Sequence, residues 1–136
     1  MDLDRTLRIS AAGMNVQSTR LRVVAENLAN RDSTGNAPGA DPYRRKTVTF
    51  SNSVDRATGE ESVRVSRVGT DGAEFPTRYE PSHPAADAQG YVRTPNVNSF
   101  VEMMDMREAN RSYSANLSVL ETTRGMLSRT IEALRG

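Results

Sequence analysis

The chain has 136 residues, a formal charge of +1, 36% hydrophobic and 5% aromatic residues, no Trp and no Cys. That size suits one thinly cored domain whose isolated monomer is marginally stable, and the missing cysteines exclude disulfides, thiolate metal sites and thiol nucleophiles. His83 is the single histidine, which excludes imidazole triads and multi-histidine zinc sites, and the basic residues are scattered, with Arg44-Arg45-Lys46 the only run of three, unlike a nucleic-acid-binding stripe.

The first residues, among them Asp2, Asp4, Arg5 and Arg8, contain no apolar signal region, and no apolar stretch is long enough to cross a bilayer. From Leu3 to Arg31 the pattern predicts a helix. Leu7, Met14, Leu21 and Leu28 recur every seven residues, Leu3 and Val24 take the neighbouring seam position, and Ile9, Val16 and Val23 widen the stripe. Ser10 and Gln17 interrupt the second seam, and Gly13 costs about 1 kcal/mol relative to Ala, so this helix leans on neighbours.

Residues 32–41 switch to Ser, Thr, Gly, Asn, Pro and Asp, the residues of a loop. Tyr43–Phe50 and Ser62–Val68 carry β-branched or alternating runs around the turn-like Thr58-Gly59-Glu60-Glu61, which predicts a small antiparallel sheet. Phe75, Thr77 and Tyr79 suggest a third strand that Pro76 confines to an edge. With Pro81, Pro84 and Pro95, residues 80–98 read as extended loop.

Ser99 and Glu102 have capping-box spacing at the start of a second helix running to Arg135. Within it Met103, Met106, Asn110, Tyr113, Leu117, Leu120, Arg124, Leu127, Ile131 and Leu134 alternate three and four apart, a seam in which Asn110 and Arg124 are candidates for fixing register. Glu108 with Arg111, Glu121 with Arg124 and Glu132 with Arg135 are spaced for i,i+3 ion pairs. Such a helix runs about 55 Å and the first about 40 Å, whereas a compact globule of this size measures ~37 Å. The two ends therefore lie against each other and leave apolar surface for other copies. The predicted fold is mainly α with a small β-rich insertion: an N-terminal helix (1–31), a loop and β-rich middle (32–98) and a C-terminal helix (99–136), the long helices paired in coiled-coil fashion with short antiparallel strands between them.

Chemistry-bearing patterns are sparse. Glu102 and Asp105 share a helix face and could form an acid/base pair or hold a hard cation, but a solvated helix face is the preferred reading. No phosphate-cradling glycine loop or nucleophile elbow occurs. No enzyme, cofactor or metal is expected.

Ser10-Ala11-Ala12-Gly13-Met14, Gln17 and Ala25-Glu26-Asn27-Leu28-Ala29-Asn30 resemble the amino-terminal signature of flagellar rod and hook axial proteins. Pro42-Tyr43-Arg44-Arg45, Tyr79-Glu80-Pro81-Ser82-His83-Pro84 with Ala86-Asp87, and Gly90-Tyr91-Val92-Arg93-Thr94-Pro95-Asn96-Val97-Asn98 resemble, more selectively, the rod protein C family of the proximal rod. Glu102-Met103, Glu108-Ala109-Asn110-Arg111-Ser112-Tyr113 and Asn116 match that family's closing helix. The resemblance implies a structural, torque-transmitting subunit of the bacterial flagellum basal body, exported to the periplasm by the flagellar type III export apparatus without a cleaved signal peptide. Its implied partners are copies of itself and sibling rod proteins in a helical assembly, with no nucleic acid and no membrane span. Asn27, Asn30, Pro42, Tyr43, Arg44, Pro84, Gly90, Tyr91, Val92, Pro95, Asn96 and Val97 carry the family motifs. Leu7, Met14, Leu21, Val24 and Leu28, with Met103, Met106, Tyr113, Leu117, Leu120, Leu127, Ile131 and Leu134, are the expected seam and assembly residues. The alternative reading is a soluble coiled-coil adaptor or secretion-linked binding module that uses the same stripes to hold one partner.

Overall fold

A computed structural model describes residues 2–136. In chain order the elements are helix α1 (Leu3–Ala29), strands β1 (Lys46–Val54), β2 (Glu61–Thr70), β3 (Thr77–Tyr79) and β4 (Tyr91–Arg93), and helix α2 (Ser99–Arg135). Asp2 caps α1 by accepting the Arg5 N–H, and Asn30 closes it by returning its backbone N–H and its side-chain amide to the Glu26 carbonyl. α2 begins under Asn98, whose Oδ1 accepts the N–H groups of Phe100 (3.0 Å) and Val101 (3.3 Å). The expected Ser99–Glu102 capping box does not form, because Asn98 already satisfies the orphan donors and the Glu102 carboxylate turns into the protein instead.

The two helices pack side by side and antiparallel. Asn27 meets Glu102, Arg20 meets Asp105 and Glu108, and Gly13 faces Asn116, so one chain climbs as the other descends at a constant register. On α2 the positions facing α1 are Glu102, Met106, Ala109, Tyr113, Asn116, Leu120 and Thr123, spaced four and three apart and all buried or half-buried. On α1 the corresponding row contains Ser10, Gly13, Gln17, Arg20, Val24 and Asn27. Met106, Tyr113, Leu120 and Val24 thus lie in the contact between the helices. Leu7, Met14, Leu21, Leu28 and Leu127 are half-buried, while Met103, Leu117, Ile131 and Leu134 are exposed. Asn110 and Arg124 also face outward; the polar groups that hold the register are Asn27, Glu102, Arg20 and Asn116. None of the anticipated i,i+3 ion pairs closes among the described residues, and Glu108 reaches across to Arg20 instead.

β1 and β2 form an antiparallel hairpin with a register shift between Thr49 and Phe50. β1 begins at Lys46 rather than Tyr43 and runs on past Phe50 to Val54, because Ser51, Asn52 and Ser53 continue the ladder opposite Arg64, Val63 and Ser62, and β2 gains Glu61, Gly69 and Thr70. The turn spans Asp55–Glu60 with Gly59 at φ +72°. The hairpin lies along α1, tied by Lys46–Glu26 (2.9 Å) at one end and by Arg8–Glu60 (2.5 Å) at the other. A second ribbon pairs β3 with β4 and stacks Tyr79 edge-on against Tyr91, their ring centroids 5.3 Å apart. β4 lies within the stretch expected as loop. Gly90 permits it: its φ of +89° makes the preceding turn, and an added Cβ would strike the Tyr79 ring. The apolar core is small, comprising Val16, Val23, Val24, Ala85, Val92 and Ala109.

Gly13 now has a packing reason, since a Cβ there would sit 2.9 Å from the Asn116 amide. Gly13→Ala alone should be close to neutral in chemical denaturation, its helix-propensity gain of about 1 kcal/mol offset by displacing Asn116. In an Asn116→Ala background the same substitution should stabilise; destabilisation there would refute the contact. The Glu60 carboxyl, hydrogen-bonded to Arg8, is held below its ordinary value. Its contribution is therefore complete above the ordinary carboxylate range and lost as pH falls through the lower folded value. Thermal unfolding of Glu60→Gln should lack this acid-range component of the pH dependence, and an unchanged profile would count against the clasp.

Candidate functional site

Where α1 ends, β1 begins and α2 starts, the chain brings together the residues that its motifs singled out. Asn27, 1% exposed, uses its full hydrogen-bonding capacity there. Its Oδ1 accepts from the Tyr43 hydroxyl (2.8 Å) and the Lys46 N–H (2.9 Å), while its Nδ2 donates to the Lys46 carbonyl (2.9 Å) and Glu102 Oε2 (3.3 Å). One side chain therefore pins the first residue of β1 to the last turn of α1 and to the first turn of α2.

Glu102 is fully buried. Its other oxygen accepts from Arg45 Nε, and Arg45 extends to Asp71 (3.4 Å) and Asp105 (3.6 Å). Burial works against the Arg45 charge, but Glu102, then Asp71 and Asp105, outweigh it and hold the guanidinium above its ordinary value. Burial likewise raises the Tyr43 phenol, which stays protonated and keeps donating to Asn27. Glu102 is consequently no solvated helix-face residue, which corrects that reading of it. The carboxylates beside it are also occupied: Asp105 bonds Arg20 and Arg45, and Glu108 bonds Arg20. Among the described residues no His, Cys, Asp and Glu group could hold a metal ion.

The other motif residues fasten the middle of the chain to this junction. Asn96 accepts the Arg45 N–H (2.7 Å) and donates to the carbonyls of Asp71 and Ala73 (both 3.1 Å). Arg44 donates to the same two carbonyls and lies 4.2 Å above the Phe75 ring. Pro42, Gly90, Val92 and Pro95 are buried, Val97 is half-buried, Tyr91 packs on Tyr79, and Asn30 caps α1. Pro84 is exposed beside His83, whose ring bonds the Ala85 N–H and Thr34. Arg45 and Glu102 were absent from the expected site residues. Their signal was the row that places Glu102 in line with Met106 and Ala109, which is hidden when only large apolar residues are counted.

An open cleft of about 550 Å³ adjoins the junction, between Val23 and Val24 of α1, Val48 and Phe50 of β1, and Asp105 of α2. Apolar side chains crowd the outer surface at the start of α2, where Phe100 is 71%, Met103 55% and Met104 57% exposed. With its carboxylates committed to arginines, the site is built to brace three elements and to present surface, not to move protons.

Residues 88–133 match the family model described as the C-terminal part of flagellar basal body rod FlgEFG proteins. The whole chain is similar to the flagellar basal-body rod protein FlgC of Agrobacterium fabrum, with 53% identity over 133 residues, covering 98% of this chain and 96% of the relative. The namesake from Salmonella typhimurium is 43% identical over 125 residues, covering 90% and 91%. That from Borreliella burgdorferi is 32% identical over 154 aligned positions and covers both chains completely.

Asn27→Asp, nearly isosteric, would replace the Nδ2 donor with a carboxylate oxygen facing the Lys46 carbonyl and the Glu102 carboxylate. Chemical denaturation should show a loss of about 3 kcal/mol or more, partly recovered by Glu102→Gln. Wild-type stability of Asn27→Asp would mean that the amide does not organise the junction.

Proposed function

The chain belongs to the flagellar basal-body rod protein FlgC family, and from that premise we propose that it is a structural subunit of the proximal rod, packing helically with copies of itself and sibling rod proteins to pass torque from motor to hook. It is a rod component and not an enzyme, as its relatives are named. The observation that carries the assembly role is the use each helix makes of its faces. Small and polar residues such as Ser10, Gly13, Asn27, Ala109, Asn116 and Thr123 share the intrachain contact with Val24, Met106, Tyr113 and Leu120, while other large apolar residues such as Met103, Leu117, Ile131 and Leu134 remain outside. A monomer with no partners would bury the larger residues first, since each fully buried one stabilises by about 1.5–3 kcal/mol.

In this reading residues 1–31 and 99–136 form the axial helical part, paired in coiled-coil fashion, and 32–98 form a middle part that braces it. The four-three spacing of Glu102, Met106, Ala109, Tyr113, Asn116, Leu120 and Thr123 supports the coiled-coil geometry. The partially apolar flank of Leu7, Met14, Leu21 and Leu28 and the outer row of α2 are the contacts to neighbouring subunits. Export through the flagellar type III apparatus to the periplasmic rod, without a cleaved signal peptide, completes the proposal. No helix among the described residues is long and apolar enough to cross a membrane.

Leu117→Asp and Leu120→Asp separate intrachain pairing from assembly. Leu117 is exposed and its substitution should change the stability of the isolated chain by no more than about 0.5 kcal/mol, yet leave cells non-motile with little of the chain in purified basal bodies. Leu120, against α1, should instead lose several kcal/mol in the isolated chain, as expected for a carboxylate forced into a packed contact. Normal swimming with Leu117→Asp protein present at wild-type level in basal bodies would overturn the assembly role of the outer row.

A further inference from the structure

α2 outruns its partner. Extended at the register set by Asn27 opposite Glu102 and Gly13 opposite Asn116, Leu3 of α1 falls opposite about residue 126. The row that faces α1 nevertheless continues in four-three spacing through Leu127, Thr130 and Leu134, with Ile131 beside it, and Ile131 and Leu134 are 50% and 84% exposed. At the opposite end of the same helix Phe100, Val101, Met103 and Met104 form an exposed apolar shelf, hollowed by a cavity of about 240 Å³ between Phe100, Met103, Met104 and Arg107.

We propose that the Ile131–Leu134 tip of α2 seats on the corresponding shelf at the start of the C-terminal helix of an adjoining rod chain, so that helix pairs stack end to end. The proposal rests on the rod reading above and names the surface and the partner within it. Three observations identify the occupant. Leu127 and Leu134 continue the line of Met106, Tyr113 and Leu120, so what covers the tip must present a helix surface that extends the one α1 ends. The family model that matches residues 88–133 spans the shelf and most of the tip, so rod chains described by that model carry the same C-terminal element. Arg107 and Arg111 beside the shelf have no carboxylate in ion-pair range among the described residues, and Glu132 on the tip has no cation, so the two surfaces supply each other's missing charges. A contact between two different patches of one chain type does not close on itself by two-fold symmetry; it propagates, as a rod requires.

The test places the photo-crosslinking residue p-benzoyl-phenylalanine at Leu134, and separately at Arg129 on the opposite side of the tip, in cells that carry the full-length chain. Basal bodies are irradiated and purified, and adduct peptides are sequenced. The Leu134 probe is expected to label the first two turns of a rod chain's C-terminal helix, a copy's or a sibling's, and the Arg129 probe is not. Leu134→Asp, at an exposed position, should leave the circular dichroism of the isolated chain unchanged and deplete the chain from basal bodies. Adducts confined to α1 of the same chain or to the hairpin, or Leu134→Asp retained at the unsubstituted level, would overturn the stacking while leaving the rod reading intact. Absence of the unsubstituted chain from purified basal bodies would overturn both.

Discussion

One side-chain amide organises this protein. Asn27 sits where two helices and a strand converge, and its oxygen and nitrogen each take two partners from Tyr43, Lys46 and Glu102. In a buried setting this arrangement is directional, because rotating the amide would turn its NH2 toward the Tyr43 hydroxyl and the Lys46 N–H and its oxygen toward the Lys46 carbonyl and the Glu102 carboxylate. Apolar packing among valines and alanines tolerates small slips; a fully satisfied amide does not. The axial register of α1 against α2 and the launch point of β1 are thus set together.

The ion network widens this junction into a brace. Glu102 would be costly to bury alone, but Arg45 meets it and also grips Asp71 and Asp105, while Arg20 ties Asp105 and Glu108 from α1. Through Asn96 and Arg44 the same junction captures the carbonyls of Asp71 and Ala73 at the end of the hairpin. The hairpin then returns along α1 to the Arg8–Glu60 clasp. A load on the helices reaches the β-rich middle through hydrogen bonds and ion pairs rather than through a flexible linker. Such a connection couples the helix pair stiffly to the β-rich middle.

Small residues between the helices have a second consequence. Gly13 against Asn116, and Ala109 fully buried, allow close approach while consuming little apolar surface. Apart from Met106 and Leu120, the leucines and methionines that would normally form a core stand on flanks and outer rows. The chain is thinly cored, and those flanks stay half-buried or exposed. Charged rims such as Arg107 and Arg111 keep the exposed apolar surface solvated.

Much of this was legible in the chain itself. The seven-residue recurrence of apolar positions marks α1, the three-four alternation marks α2, the Gly, Pro and Asn clusters mark the loops, and the β-branched runs mark the hairpin. The motif residues Asn27, Tyr43, Arg44 and Asn96 lie in or against the junction, where their side chains find hydrogen-bond partners. Hydrophobic spacing placed only part of the contact between the helices, at Val24, Met106, Tyr113 and Leu120. It counts apolar side chains, whereas the contact also runs through Glu102, Ala109, Asn116 and Thr123 on one helix and Gly13, Arg20 and Asn27 on the other, each one residue away from the predicted stripe. The helix cap at Asn98, strand β4 and the pairing of Arg45 with Glu102 were likewise settled only in three dimensions. Local sequence determines which segments are helical and which face is apolar, since both follow from propensity and periodicity along one segment. Which residues meet across the fold depends on partners distant in the chain, and here those partners are matched by hydrogen-bond geometry and charge rather than by hydrophobicity.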